Sequence, residues 1–349
     1  MPHRTLSPLA FLRLLLPATL ALACLVRAPG ARAEAAPVWW SAFNDATLNL
    51  LLAEAAPPAA AAPPLQALLA LQLQADATAA YVLARVASVR LMNGRLLVDT
   101  LQRQLELLRA GGGPDGDAAR SAQQALESAQ ARLPQFEALR TASIDLLAQR
   151  TGGTRSVAML SRQLAPALGD ARLPVPAFDV PRELPGIVLR RRPDVAQAEA
   201  QLAQAGRDTA AGQLRLARYL QALSAPIAPA EESIASAVGS QPEDVLEAAR
   251  QDIALRLAQL DAAVQAAKQQ EAALLALQPQ YLALRERFLR GEVPEAQALG
   301  GLARMLVEED RLAASGGQLA IAWIAFQASI GGAGDASANA LLGAKHEAE

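Results

Sequence analysis

The stretch Leu184–Ala205, LPGIVLRRRPDVAQAEAQLAQA, decides how the chain is read, because an extended segment there gives way to a helix. Pro193 suits a first helical position, where its missing N–H costs nothing. Asp194 and Glu199 follow with negative charge near the positive end of the helix dipole. Arg190, Arg191 and Arg192 do the opposite: they stand on the unfavourable side of that dipole, so their partners must come from elsewhere in the fold. Immediately upstream, Pro174, Pro176, Pro181 and Pro185 make Leu173–Gly186 an extended crossover rather than a helix.

On either side of this crossover the chain repeats one plan. Before it, apolar residues at Val82, Val86, Val89, Met92 and Leu96, resuming at Leu101, Leu105 and Leu108, form a seam with alternating spacings of three and four. The seam stops at Arg109-Ala110-Gly111-Gly112-Gly113-Pro114, and a second helix is expected from Asp117 to Arg150, kinked at Pro134 and ended by Gly152-Gly153. After the crossover, Ile253, Leu257, Leu260, Val264 and Ala267 and then Leu274, Leu277, Tyr281, Leu284 and Phe288 form the matching seam. It breaks at Arg290-Gly291-Glu292-Val293-Pro294, and the following helix runs to Gly331-Gly332. Each hairpin spans roughly 40 residues from glycine tip to Gly-Gly stop, which argues for an internal duplication. The expected fold is all-α: two repeated long helical hairpins in a coiled-coil-like bundle, with arms of about 50 Å.

Composition agrees. Hydrophobic residues make up 52% of the 349 but aromatics only 3%, so the apolar surface is mostly Ala, Leu and Val, suited to long helices packed through small side chains. A net charge of −2 gives no basic surface for nucleic acid. One cysteine excludes a disulfide framework and a cysteine-based zinc site, and the two histidines, His3 and His346, lie at opposite ends. The residues offer no nucleophile–base pair, metal cluster or phosphate loop, so no enzyme, metal or cofactor is expected.

Residues 1–33 read as an export signal: Arg4 and Arg13 precede the apolar run Leu14–Val26, and Ala31-Arg32-Ala33 supplies small residues for cleavage. Ala21-Leu22-Ala23-Cys24 resembles a bacterial lipoprotein box and offers lipidation at Cys24 as a second route, with cleavage after Ala33 favoured. The expected organisation is then an N-terminal segment (34–56), a first helical repeat (65–170), the crossover (171–186), a second repeat (187–332) and a disordered tail (333–349).

These residues resemble a known family. Leu184-Pro185, Val188-Leu189, Arg191-Arg192-Pro193-Asp194 and Ala198-Glu199 resemble the opening of the second repeat in TolC-type outer-membrane efflux proteins, specifically their NodT-like lipoprotein branch. Trp39-Trp40, Phe43, Asp45 and Thr47-Leu48 match the family's N-terminal pattern, as do the tips Arg109-Ala110-Gly111, with Asp117 to Arg120, and Arg290-Gly291. Leu133-Pro134 carries the family's proline after the first tip. The resemblance implies a homotrimer forming an α-barrel tunnel through the periplasm, crowned by an outer-membrane β-barrel. It also implies passive transport of small molecules, with the tips meeting an adaptor (membrane fusion protein) of an inner-membrane pump. The residues assigned to adaptor contact are Gly111, Gly112, Gly113, Gly291, Glu292 and Val293; Arg190, Arg191, Arg192, Pro193 and Asp194 are assigned a structural role, pairing with acidic groups where the second repeat enters the bundle.

The sequence departs from the family in three places. Strand pairs are expected before Tyr81 and between Ala205 and Asp252, but the first interval is proline breaks and helix formers, and the second offers only Ser233–Val238. The membrane barrel is therefore expected to be missing. An aspartate after the second tip is replaced by Ala298-Leu299-Gly300-Gly301-Leu302, whose two glycines weaken a helix by about 1 kcal/mol each. Pro279 should bend the long helix before the tip. The alternative to a duct is a non-conducting periplasmic scaffold that keeps the adaptor-binding tips.

Overall fold

The computed structural model describes residues 39–55, 64–112, 116–151, 156–176, 178, 180–207, 209–230 and 241–332. The expected signal peptide, Cys24, Gly113, the Gly152-Gly153 stop, both histidines, the strand candidate Ser233–Val238 and the tail lie outside them. Eight α-helices occur among the described residues: α1 (Ala46–Ala55), α2 (Pro64–Gly112), α3 (Asp117–Arg150), α4 (Val157–Leu168), α5 (Pro193–Ala205), α6 (Ala210–Ser224), α7 (Pro242–Leu289) and α8 (Glu295–Ser329). Among the same residues there is no strand, only one antiparallel bridge in which Leu184 and Ile227 exchange both backbone hydrogen bonds at 2.9 and 2.8 Å.

Local chemistry explains the ends. Pro193 and Pro242 each sit in the first turn of their helix, and the Asp45 carboxylate caps α1 by accepting from Thr47 N (2.9 Å) and Leu48 N (3.1 Å). Helix α8 closes with Gly331 and Gly332 at φ of +86° and +63°, where Gly331 N donates to Ala328 O and Gly332 N to Gln327 O. This is the glycine-dependent C-terminal motif in which the last orphan carbonyls are satisfied by the turn itself. Neither Pro134 nor Pro279 ends its helix: α3 and α7 run through them.

The four long helices form one layer in the order α3–α2–α8–α7. Helices α2 and α8 run antiparallel, with Leu71 near Gly332, Val86 near Gly317, Arg90 on Asp310 and Gln104 near Gly300. Gly300 and Gly301, read from sequence as weak points, have a packing reason. A Cβ on Gly301 would lie 2.6 Å from Leu284 of α7, and one on Gly300 would lie 2.7 Å from Gln104 of α2. Gly317 is tighter still in kind, because its Cβ would meet the branched Val86 at 2.8 Å. Glycine thus lets α8 approach both neighbours.

The core lies at the end away from the tips. There Val82 and Val86 of α2, Leu147 of α3, Leu160 and Leu164 of α4, Ile253, Leu257 and Leu260 of α7 and Trp323 of α8 are buried together. Trp39 and Phe43, in a 3-10 turn (Trp39–Phe43), stack on Trp323 at centroid distances of 5.8 and 5.2 Å, so the N-terminal segment is part of this core. Towards the tips the layer stands alone. The expected α2 seam is corrected there: Met92 is exposed and Leu97 is buried instead, because Leu97 meets the helices on both sides while Met92 turns to solvent. On α7, of the residues from Val264 to Phe288 only Tyr281 is fully buried.

Candidate functional site

Two sets of residues stand out, the hairpin tips and the arginine entry to the second repeat. At the second tip, Gly291 has φ of +73° and open space around its α-carbon, so backbone conformation and not room demands glycine there. Gly291 N donates to Phe288 O and Glu292 N to Arg287 O, both at 2.9 Å, repeating the motif that closes α8. The Glu292 carboxylate accepts from Arg290 at 2.6 Å and lies 3.5 Å from Arg287; the Arg290 hydrogen bond holds it below the ordinary carboxylate range. Gly291 and Glu292 are exposed, whereas the Val293 side chain beside them is buried, 8% exposed.

At the first tip helix α2 runs to Gly112, within the Arg109–Pro114 stretch where the sequence ends it, and α3 starts at Asp117. Arg103 of α2 reaches Glu295 at the start of α8 (3.2 and 3.5 Å), an exposed pair that ties the two hairpins together near the tips.

The arginines find their partners. Arg192 donates through Nε and Nη2 to both oxygens of Asp194 (3.1 and 2.9 Å) and through Nη1 to Asp252 of α7 and to the Ser329 carbonyl of α8, each at 3.0 Å. Its unfavourable position at the start of α5 is thus offset at the C-terminal end of α8, where orphan carbonyls and negative dipole welcome a cation. Burial disfavours the Asp194 carboxylate, but hydrogen bonding and attraction to Arg192, with Val195 N donating at 2.9 Å, hold its pKa below the ordinary value. Arg190 makes a bidentate pair with Glu199, both bonds 3.0 Å, on the surface. The Arg191 backbone lies against Gly331, where a Cβ would meet its carbonyl oxygen at 2.7 Å.

Two buried polar clusters were not legible in the sequence. Asp45 accepts from the Tyr81 hydroxyl (2.7 Å) and from Arg85 (3.0 Å), and Arg85 also donates to the Arg172 carbonyl, so one side chain ties N-terminal segment, α2 and crossover together. Arg90 clasps Asp310 with two bonds (2.9 and 3.1 Å) and lies 4.3 Å over the Phe136 ring. Asp45 stood out in the sequence only as part of the Trp-Trp, Phe, Asp pattern, without its partners, and nothing local signals a pair 220 residues apart.

The outer helices of the layer differ in what they leave uncovered: α7 exposes an apolar row, and α3 exposes small residues among polar ones. Leu275, Leu282 and Leu289 of α7 recur every seven residues and are 59%, 44% and 66% exposed. On α3, Ala125, Ala131, Ala138 and Leu139 are exposed. Cavities between the helices are small, about 30 Å³ beside Leu277, Tyr281, Leu284 and Gly301 and about 10 Å³ beside Asn93, Arg132 and Asp310, so neither holds more than a water molecule.

Set against known proteins, this helical architecture is similar in fold to solved outer-membrane channel structures, with no strand among the described residues. Similar solved structures are CusC (TM-score 0.57, 14% identity, 85% of this chain and 95% of that one) and a membrane protein from Pseudomonas aeruginosa (0.54, 16%, 84% and 71%). A third is the outer-membrane channel OprN (0.51, 17%, 88% and 94%). At these identities the likeness is one of fold. No family model and no curated protein sequence matches the chain.

Proposed function

We propose that the chain is the helical, periplasmic part of an outer-membrane efflux duct and works as a homotrimer. The observation that carries this reading is the unclosed layer: α3 and α7 form its two borders, α7 with an uncovered leucine row and α3 with small exposed residues among polar ones. The leucine row of α7 fits the small exposed residues of a neighbouring protomer's α3, as knobs fit a shallow groove. Because the two faces differ, the association is head-to-tail, and it closes when three copies complete a ring. The cavities inside one protomer admit no solute, so passage runs through the space the ring encloses. CusC is described as undergoing conformational changes that accompany transmembrane channel formation, and OprN as an outer-membrane channel, which supports the same role here.

Under this reading residues 1–33 direct export, with Cys24 lipidation as the other route to the membrane. Gly111, Gly112, Gly113, Gly291 and Glu292 contact a periplasmic adaptor of an inner-membrane pump, with Val293 buried beside the second tip. Transport is passive. Light scattering on the exported protein should give a trimer mass, and Leu275→Gln with Leu282→Gln and Leu289→Gln should give a helical monomer. A monomeric wild-type chain refutes the ring. In planar bilayers the trimer should give stable single-channel steps. A trimer that never conducts selects the second reading, a non-conducting scaffold, which the lack of strands among the described residues favours, since open helical layers do not cross lipid.

A further inference from the structure

The first turns of α2 present leucines to solvent: Leu68 is 38% exposed, Leu69 56% and Leu73 43%. The turns that carry Leu68 and Leu69 pass beyond the end of α8, and Leu73 lies one turn behind them. Leu71 sits against Gly332, just past the end of α8, so residues 64–70 extend beyond that neighbour by about 10 Å. From Ala55 to Ala75 the sequence contains no charged residue. Helix α7, the counterpart in the second repeat, also starts with a proline at this end of the molecule, yet its first turns carry Glu243, Asp244, Glu247 and Arg250. Helix α6, which starts beside α7, exposes Leu214 but carries Arg215 next to it, paired with Glu243; α2 differs from both in having exposed leucines and no charge. Helix α2 also holds the one stretch among the described helices that is long and apolar enough, by length and composition, to cross a membrane, and much of it is unburied.

We propose that this leucine-bearing start of α2 inserts into the acyl-chain boundary of a lipid bilayer, serving as a helical membrane contact. Two features favour lipid over a protein partner. A protein interface has a polar, charged rim around its apolar centre, and here charge is absent along the whole segment. The projection of about 10 Å matches the depth to which apolar helix faces enter the headgroup–acyl boundary. Uncharged and shallow, the contact is hydrophobic and insensitive to salt.

The test is flotation of the exported chain carrying Cys24→Ser, so that no acyl group contributes, with phosphatidylcholine vesicles. The expected result is binding that persists in high salt and falls at least tenfold in Leu68→Gln/Leu69→Gln/Leu73→Gln. A second measurement places a polarity-sensitive label at Leu69→Cys, and lipid-borne quenchers should reach it. No flotation, flotation unchanged in the triple variant, or a label untouched by the quenchers overturns the proposal. So does a triple variant whose change is in oligomeric mass without lipid, since a second copy would then cover the leucines. If the triple variant does not fold, the label decides. The ring proposed above fails separately: the α7 substitutions should alter mass and leave flotation intact.

Discussion

Arg192→Ala should cost far more than Arg190→Ala, although the sequence presents the two as neighbours in one basic run. Arg192 makes four hydrogen bonds to three groups and its side chain is 16% exposed. Removing it leaves Asp194 with the Val195 N–H, Asp252 with Arg256 at 3.4 Å, and the Ser329 carbonyl without its guanidinium. Breaking a fully buried pair costs about 3–5 kcal/mol, but Asp194 and Asp252 are 31% and 37% exposed and recover part of their hydration. The expected loss is about 2.5 kcal/mol, or a Tm lower by roughly 5 °C. Arg190 is 45% exposed in a surface pair with Glu199, so its loss should be about 0.5 kcal/mol. Urea unfolding of both variants beside the wild type measures the difference. Asp194 adds a pH signature. Its pKa is lowered in the folded chain from 3.8, so its stabilisation is fully present above that value and is lost as pH falls through the folded pKa. The gap between wild type and Arg192→Ala should therefore close in acid. A loss below about 1 kcal/mol for Arg192→Ala, or equal losses for the two arginines, would refute the assignment of α8's end as the site that holds Arg192.

Three further outcomes can be measured in the same way. Gly317→Ala drives a methyl against the stiff, branched Val86 and should destabilise by about 1–2 kcal/mol, whereas Gly300→Ala meets only the movable end of Gln104 and should be neutral or stabilise by up to about 1 kcal/mol through helix propensity. Glu309 has its pKa raised from 4.5 by burial, so its cost to folding builds as pH rises above 4.5 and is complete above the folded pKa; Glu309→Gln should stabilise at neutral pH, by about 1 kcal/mol, and show no benefit near pH 4.5. Asp310→Ala leaves Arg90 facing Phe136 without its carboxylate and should cost about 3 kcal/mol in equilibrium unfolding; a change under 1 kcal/mol would make that clasp a surface pair.

The sequence by itself determined several boundaries of the long helices and of α5. Asp117–Arg150, the start at Pro193 and the Arg290–Pro294 turn coincide with the structure, because glycine and proline act on the backbone within one turn of their own position. It also determined two hairpins, whose apolar seams repeat at a spacing only helices satisfy. What it left open was decided by which helix faces which. Gly300 and Gly301 look like defects along α8 and become contact points once α2 and α7 lie against it. Met92 fits the seam by spacing, yet Leu97 is the residue between neighbours. Arg192 carries an unfavourable local charge until Ser329, far along the chain, supplies an orphan carbonyl beside it. Helices α1, α4 and α6 passed unmarked, because short segments of ordinary composition take their helical state from the core they cover. Backbone chemistry is local and can be read along a chain; partner choice depends on contacts between distant residues, and only the packed layer fixes those.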